Sequence, residues 1–586
     1  MSDQRNLILA IALSVGIILL FQYFYEIPRL QEQQRLAEIE AAQQAEQLEQ
    51  SGQADAITPT FDPNVDVGAA QVPGTAAAIQ AQTRDAALGE ARRISIDNGR
   101  LHGSISTQGL RLDDLTLANY RETIDPASPE IELLGPAGSS NTYFAEFGWV
   151  AAEAGVAVPN NETLWVSDAE QLSQSDAAAF SWDNGAGLTF GKRIGLDENF
   201  LFTIERSITN SSDQAVTLLP YSLVSRWETP QTSGFYILHE GPIGVLEETL
   251  NEVDYSDLID DGDIEIKTNG GWLGITDKYW LTAMITNGAP EVTATFRHNF
   301  AAGTDRYQVD FLGQPVTIQP GQSYTHEEYF FAGAKEVDKL DAYAAELNIP
   351  LFDRAVDFGW FYFLTKPIFL ALIYFHSLVG NYGVAILILT LVVKALFFPL
   401  ANKSYKSMSA MKKLQPEMQK IKERCGDDRQ KMQQELMALY KKEKVNPMSG
   451  CLPILVQIPV FFALYKVLFV AIEMRHAPFF GWIQDLAAPD PTTIFNLFGL
   501  LPFDPPGFLI IGVWPLLMGI TMFLQTKLNP QPPDPIQAKI MMFLPLMFIF
   551  LFATFPAGLV IYWTWNNLLS IAQQWLIMRR MGVKPG

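Results

Sequence analysis

Long apolar runs lie at the two ends of this 586-residue chain, and a segment with a different pattern separates them. A helix needs about 20 apolar residues to cross the hydrocarbon core of a bilayer. By that criterion the sequence predicts one span near the start and five in the last third, at residues 7–25, 382–400, 451–472, 508–526, 540–555 and 558–578.

The first run has two interpretations, a cleaved secretory signal and an uncleaved anchor. The run is long, and no small-x-small cleavage site follows it before Glu26, which favours the anchor. Residues 29–56 are then rich in Gln, Glu and Ala, and from about residue 51 Ala, Gly, Pro, Thr and Asp dominate. We therefore predict a transmembrane anchor at 1–25 and a linker at 26–90.

From Ile94 onward apolar residues alternate with polar ones, as in Phe200, Phe202 and Ile204. This period of two is typical of strands with one buried face, and the intervening turn signals predict an all-β sandwich at 91–345. The four histidines of this region have no metal-ligand spacing, and no catalytic motif is present in it. We expect neither an enzyme nor a cofactor, although a carbohydrate-active sandwich stays open as an alternative.

The two halves of the chain differ in charge. Residues 351–586 hold 22 Lys and Arg against 13 Asp and Glu, whereas residues 1–350 hold 19 against 51. Within the C-terminal part, residues 402–450 contain twelve cations and six acids, but residues 473–504 contain one cation and four acids. Because cytoplasmic loops are enriched in cations, we expect both termini in the cytoplasm and residues 26–380 outside it.

Residues 358–379 test that orientation, because they are apolar but contain Lys366, Pro367 and His376. A transmembrane helix here would place the acidic half and the basic loop on the same side of the membrane. We therefore predict an amphipathic helix that lies in the outer membrane interface.

The basic loop predicts a helical hairpin at 402–446. Its apolar residues follow heptad-like spacing in two arms, with Met411, Leu414, Met418, Ile421 and Cys425 in the first and Met432, Leu436 and Leu439 in the second. The basic outer face is compatible with ribosomal RNA, with anionic lipid or simply with solvent, and charge alone does not distinguish these possibilities.

One cation, Lys394, lies inside the predicted span 382–400. A charge at the centre of a span costs about 2.5–3.5 kcal/mol on insertion scales, and it pairs with a carboxylate or faces a water-filled cavity. The five C-terminal spans contain no carboxylate, which favours the cavity. Other polar residues inside the spans are candidates for its wall, although each alone fits an interhelical hydrogen bond equally well: Thr390, Gln457, Gln525, Asn566, Asn567 and Gln573.

Four stretches resemble the YidC/Oxa/Albino family of membrane-protein insertases: KVNPMSGCLPILVQIPVFFALYKVL (444–468), FFGWIQDL (479–486), DPIQAKIMMFLPLMF (534–548) and FPAGLVIYWTWNNLLSIAQQ (555–574). The resemblance implies a multidomain membrane protein of the Gram-negative type. Its parts are an N-terminal anchor, a periplasmic mutarotase-like β-sandwich and, at 346–586, a core of five transmembrane helices with a hydrophilic groove.

The resemblance also implies the task and the partners. Such proteins insert and fold nascent membrane proteins in the bacterial inner membrane, alone or beside the SecYEG translocon. The ribosome and the signal-recognition-particle receptor are further candidate partners, lipid surrounds the core, and DNA is not expected. A small-solute transporter using Lys394 is the alternative, but it predicts internal repeats that the sequence lacks.

Particular residues take roles from the resemblance. The groove cation of the family is typically arginine, and Lys394 stands at that place, with Gln457 and Trp563 beside it in the groove. The hairpin matches the loop that recruits clients and ribosomes, with Met411, Lys412, Lys413, Met418 and Lys420 as candidate contacts. Segment 492–512 is longer than in some relatives and has no assigned role.

Overall fold

The computed structural model describes residues 72–73, 83–232, 238–286, 290–359, 361–426, 428–443, 445, 452–498, 501, 503, 505–506, 510–529 and 535–582. The predicted anchor 1–25 and most of the predicted linker 26–90 lie outside these residues.

Nineteen strands form two sheets in the described part of the N-terminal half. The larger sheet has eleven strands, with the core order β13-β16-β17-β10-β5-β3-β2-β1-β6, and β18 and β4 pair with β10 and β3. Its strands are β1 (Arg93–Asp97), β2 (Leu101–Ser106), β3 (Leu112–Arg121), β4 (Glu130–Leu134), β5 (Tyr143–Ala151), β6 (Gln171–Leu172), β10 (Val216–Trp227), β13 (Ile264–Thr268), β16 (Val292–Ala301), β17 (Thr304–Leu312) and β18 (Val316–Ile318).

The smaller sheet has eight strands in the order β12-β11-β14-β15-β19-β9-β8-β7. They are β7 (Ala178–Asp183), β8 (Leu188–Leu196), β9 (Leu201–Asn210), β11 (Gly241–Leu246), β12 (Thr249–Glu252), β14 (Gly271–Thr276), β15 (Trp280–Thr286) and β19 (Ser323–Ala334).

The two sheets pack face to face. In β8 every second residue is buried, so that one face of the pleat supplies the core. Aromatic side chains of β5 and β19 meet across the core, with the ring centroids of Phe147 and Phe330 5.6 Å apart and those of Trp149 and Tyr324 6.0 Å apart. The predicted β-sandwich is confirmed.

Twelve α-helices complete the described part of the chain. Those in or beside the sandwich are α1 (Arg84–Leu88), α2 (Tyr255–Asp261) and α3 (Val337–Glu346); the others are α4 (Tyr362–Val379), α5 (Tyr382–Leu396), α6 (Phe398–Lys413), α7 (Gln415–Cys425), α8 (Arg429–Lys442), α9 (Leu452–Val470), α10 (Val513–Leu528), α11 (Pro535–Phe552) and α12 (Ala557–Arg580).

Few of these helices are both long and apolar enough, within the described residues, to cross a bilayer by themselves. By length and composition, α4 qualifies among the described residues, and α5 with α6 would make a second span if the bent pair is counted as one. Segments Gln457–Val470 and Ala538–Phe552 are apolar but shorter.

The structure corrects two predicted element boundaries. Span 382–400 is not one helix, because α5 ends at Leu396 and α6 continues at an angle of 70°. Pro399 lies in the first turn of α6, where proline is tolerated; inside a continuous helix its ring would clash with the carbonyl four residues earlier. Span 508–526 starts instead at Val513, with Gly512 as N-cap.

The predicted hairpin 402–446 is also shorter than expected. Residues up to Lys413 belong to α6, and Pro416 lies in the first turn of the next helix, α7. The hairpin is therefore formed by α7 and α8, and Met411 lies outside it. Its buried seam agrees with the spacing from residue 414 onward: Met418, Ile421 and Cys425 against Leu436 and Leu439.

The sandwich contacts the helical part through the end of α9 and the residues after it. Lys466 of α9 forms a 2.8 Å ion pair with Asp357. The guanidinium of Arg475 donates to the carbonyls of Arg121 and Glu122 at the end of β3. These contacts tie one end of the bundle to the sandwich.

A buried carboxylate completes this junction. Glu473 accepts a 3.1 Å hydrogen bond from the backbone N–H of Val337 in the first turn of α3, where the N-cap residue Glu336 supplies no side-chain cap. The positive end of a helix dipole favours such an anion. Burial, together with the nearby charges of Glu336 and Asp338, nevertheless raises the pKa of Glu473 to about 7.

We expect the junction to weaken as the pH rises. Because the pKa of Glu473 is raised above its ordinary value of 4.5, protonation stabilises the folded state fully below pH 4.5, and this stabilisation is lost as the pH approaches 7. By linkage it amounts to at most about 3 kcal/mol. The measurement is the Tm of the full chain in detergent at a series of pH values between 4.5 and 8, which should fall as the pH rises.

The matched variants are Glu473→Gln and, as control, Glu346→Gln at an exposed position of α3. The first should flatten the fall of Tm with pH, and the second should leave it as in the unmodified chain. An unchanged slope in Glu473→Gln contradicts the assignment.

Candidate functional site

A small cavity lies where α5, α6, α9 and α12 meet. Its volume is about 40 Å³, which is room for about three water molecules. Its lining combines apolar side chains with six polar ones, and consists of Thr390, Val393, Lys394, Phe397, Leu400, Ala401, Tyr405, Gln457, Val460, Tyr562 and Asn566.

Helical spacing brings these residues together. Residues four apart share one face of an α-helix, and Thr390 and Lys394 have this separation on α5. Tyr562 and Asn566 have the same separation on α12. The bend after α5 directs α6 toward the far end of α12, where Tyr405 packs near Ile577.

Lys394 points into the bundle and not toward lipid. Its ammonium Nζ donates to the hydroxyl Oγ of Ser570 at 2.7 Å, and that hydroxyl donates to the carbonyl of Asn566 at 2.8 Å. No carboxylate of the described residues acts on the ammonium. An ammonium has three donors, so two remain for water or for a ligand in the cavity.

The cavity wall also offers an acceptor. The side-chain oxygen Oδ1 of Asn566 is buried and has no hydrogen-bond partner within the described structure. On α9, the side-chain amide of Gln457 donates to the hydroxyl of Tyr562 on α12 at 2.9 Å. On α5, the hydroxyl of Thr390 donates to the carbonyl of Ile386 in the same helix. The cavity wall therefore contains a cation and a residue whose amide oxygen has no partner among the described residues.

The structure places two of the predicted groove residues elsewhere. Asn567 donates to Thr521 of α10 at 3.2 Å, and the indole of Trp563 packs edge-on against Phe461 with 4.7 Å between ring centroids. Neighbouring residues of a helix point about 100° apart, so Asn566 and Asn567 point in different directions, whereas Asn567 lies on the same side of α12 as Trp563, four residues earlier. Gln525 and Gln573 do not line the cavity either.

Three polar residues of the site were missed from the sequence: Tyr405, Tyr562 and Ser570. The spacing of four between Tyr562, Asn566 and Ser570 is a signal that would have identified the face of α12. Tyr405 carried no such signal, since its approach depends on the bend between α5 and α6.

The residues predicted for recruitment on the hairpin differ in accessibility. Met418 is buried in the seam, whereas Lys420 is exposed. Met411 and Lys412 are half-buried on α6, where Lys412 donates to the carbonyl of Lys527 at 3.5 Å. Lys413 donates to the carbonyl of Met581 at 2.8 Å. Both lysines thus cap the carboxyl ends of other helices, a position that suits cations.

The sandwich contains a second polar cluster, which bears on the carbohydrate alternative. Glu146 accepts hydrogen bonds from Arg111 and from the hydroxyl of Tyr221, each at 2.6 Å, and Lys192 donates to the carbonyl of Phe147 at 2.6 Å. The cavity beside these groups measures about 10 Å³. That is room for about one water molecule and not for a sugar ring.

Comparison with known proteins assigns the chain. Residues 374–584 match the family model described as 60Kd inner membrane protein, and residues 93–371 match that of the YidC periplasmic domain. The membrane protein insertase YidC of Methylobacterium sp. (strain 4-46) is 50% identical over 601 residues, covering 100% of this chain and 96% of the relative. The chain belongs to the YidC family of membrane protein insertases.

Other relatives agree with this assignment. The YidC insertase of Rhizobium meliloti (strain 1021) is 50% identical over 587 residues, which cover 100% of this chain and 97% of the relative. The predicted family, the insertase function and the inner-membrane location are thereby confirmed.

Two solved structures are also similar. A crystal structure of an active YidC insertase, with its first transmembrane domain resolved, is 18% identical and covers 82% of this chain and 92% of that one, with a TM-score of 0.36. A galactose mutarotase related enzyme from Lactobacillus acidophilus is 11% identical and covers 41% of this chain and 97% of that one, with a TM-score of 0.30.

We expect water to reach the cavity. Single cysteines at neighbouring positions of α5 test this: Val393 lines the cavity, whereas Val392 is half-exposed and does not line it. Maleimides react with the thiolate, which forms where water reaches the thiol. A hydrophilic maleimide should therefore label Val393→Cys at least about tenfold faster than Val392→Cys in bilayers, since tenfold corresponds to about 1.4 kcal/mol.

The background for this measurement lacks the native thiols, Cys425→Ala and Cys451→Ala. Equal rates at the two positions, or faster labelling of Val392→Cys, would show that the cavity is dry.

Proposed function

We propose that the cavity around Lys394 is the place where a polar segment of a nascent membrane protein is held while the client inserts. The observation that carries this proposal is a cation inside the helical bundle without a carboxylate partner among the described residues, beside an unsatisfied acceptor. Because buried polar groups are generally hydrogen-bonded, the unpartnered oxygen of Asn566 and the two further donors of the Lys394 ammonium are groups that water or a client can satisfy.

The energetic role follows from the cost of moving polar groups through hydrocarbon. Each unsatisfied polar group costs several kcal/mol in the bilayer core, and the cavity replaces part of the lost hydration. Lys394 attracts the acidic residues of a client, and Asn566 accepts from its donors. The client's apolar helices leave sideways into lipid, and this chain uses no nucleotide.

A cavity of about 40 Å³ is smaller than one large side chain. A client segment therefore enters as the cavity waters leave and the walls separate. The hinge available for this separation is the 70° bend between α5 and α6, because the two halves of that wall are separate helices.

The orientation and the partners belong to the same proposal. Both termini and the hairpin of α7 and α8 lie in the cytoplasm, the sandwich lies in the periplasm, and α4 lies in the outer membrane–water interface. The distribution of cations along the sequence supports this arrangement. The anchor 1–25 joins five further spans. The exposed Lys420 and the other hairpin cations bind the ribosome or the signal-recognition-particle receptor. Some clients are inserted together with the SecYEG translocon.

The central test is the charge at position 394. Lys394→Leu should slow insertion of a client with an acidic periplasmic tail by about tenfold or more, the equivalent of one charged hydrogen bond. Lys394→Arg should restore insertion because it keeps the charge. The measurement is the rate of protease protection of the client in vesicles that contain the full chain.

The matched control is the same client with Asn and Gln in place of its tail acids. Its insertion should depend much less on residue 394. Equal rates for the Lys and Leu forms with the acidic client would remove Lys394 from the mechanism.

A second test maps the path of the client. A photoreactive residue at position 457, inside the cavity, should crosslink to stalled nascent chains. The same residue at position 567, which faces α10 instead, should crosslink much more weakly. The proposal requires this difference, and stronger crosslinking from 567 would place the client on the other side of α12.

A further inference from the structure

After the junction residues Glu473 and Arg475, the described part of the chain before α10 exposes large apolar side chains. Six of them are between 41% and 63% exposed: Phe480, Trp482, Phe495, Leu497, Phe498 and Phe503. The sequence from residue 492 to 503 contains no charged residue. Contiguous apolar surface of this kind marks a contact with a partner or with a membrane.

The backbone of this segment turns two of these side chains outward at a cost. Leu497 and Phe498 are consecutive, and both have positive φ, of 51° and 59°. Large residues in this conformation carry strain of about 1–3 kcal/mol each. Both side chains are 52% exposed, so packing within the chain does not account for the strained turn.

A buried carboxylate fixes the segment to the bundle. Asp490 is 2% exposed. Its Oδ1 accepts from the indole of Trp482 and from the backbone N–H and hydroxyl of Thr492, and its Oδ2 accepts from the N–H of Trp514 in the first turn of α10. The apolar side chains are therefore held in position before any partner arrives.

The segment lies at the end of the bundle that contacts the sandwich. The ring of Phe479 packs near that of Trp514, and the side chain of Asn381, the N-cap of α5, donates to the carbonyl of Phe479. Beyond this point α10 exposes Ile520 and Phe523. Exposed apolar side chains thus occur both in the segment and on the helix that follows it in the chain.

Helix length indicates what covers this surface. The 16 residues of α10 span about 24 Å at 1.5 Å per residue, and the hydrocarbon core is about 30 Å thick. Apolar side chains in the segment that precedes the helix extend its apolar band by the missing 6 Å or so. Aromatic residues, Trp above all, are enriched at this depth of a membrane.

We propose that the exposed side chains of this segment form an interfacial membrane anchor and enter the lipid leaflet on the side of the sandwich; they are Phe480, Trp482, Phe495, Leu497, Phe498 and Phe503. The lack of charge from 492 to 503 and the exposed apolar side chains of α10 favour lipid over a protein partner. This inference uses the membrane location of the family and is independent of the role of Lys394.

The test measures depth in the bilayer. A single cysteine replaces Phe498 in the full chain without native thiols, carries an environment-sensitive nitrobenzoxadiazole label, and is reconstituted in phosphatidylcholine vesicles. Lipids with a quencher near the top of the acyl chain should quench this label more strongly than lipids with a quencher near the chain end. Phe503→Cys provides a second position in case the first change disturbs the strained turn.

Two control positions set the scale. Ile520→Cys, on the exposed face of α10, should be quenched best by the deep quencher, and Phe300→Cys, on the exposed end of β16, should not be quenched. If labels at both 498 and 503 behave like the label at 300, the proposal is overturned. Crosslinking of these two positions to another protein, without quenching by lipid, overturns it as well.

Discussion

An ammonium group inside a membrane-embedded helical bundle must be solvated by something. In this protein Lys394 receives one protein acceptor, the hydroxyl of Ser570, and no carboxylate partner among the described residues. The rest of the site depends on this constraint. The bend after α5, the polar face of α12 and Gln457 on α9 all surround the space into which the ammonium projects.

Helix α9 connects this site with the sandwich, which matches the family model of the YidC periplasmic domain. Gln457 faces the cavity, and nine residues later Lys466 pairs with Asp357 at the sandwich junction. The two positions are about 13 Å apart along a helix axis. One rigid element thus carries a wall of the cavity and part of the attachment of the sandwich, and Glu473, just after its end, adds a proton-sensitive contact.

The sandwich and the helical bundle each hold a cation in the interior of their described parts, but the surroundings of the two cations differ. In the sandwich, Arg206 pairs with Glu328 and also donates to the carbonyls of Gly148 and Tyr221. These contacts give an acceptor to each terminal nitrogen of Arg206, and its Nε is the buried nitrogen left without a partner among the described residues. In the bundle, Lys394 and Asn566 keep unused donors and an unused acceptor, which is the arrangement expected where a passing polar chain has to be accommodated.

The sequence alone was sufficient for the fold class, for the family and for four members of the cavity: Thr390, Lys394, Gln457 and Asn566. The sandwich follows from local periodicity and the cavity members from polar residues in apolar runs, whereas the family follows from the resemblance of four stretches of sequence. The sequence also predicted the seam of the hairpin, because heptad spacing is a local property.

What required tertiary structure was the direction of each side chain. Apolar length did not reveal that Pro399 separates two helices, so the hairpin was started too early and Met411 was placed in it. Lys412 and Lys413 look like free surface charges in sequence, yet they meet the carboxyl ends of helices more than 100 positions later. Composition and period determine which elements form, whereas rotation about a helix axis and contacts between distant segments decide which polar groups meet, and no local pattern contains that information.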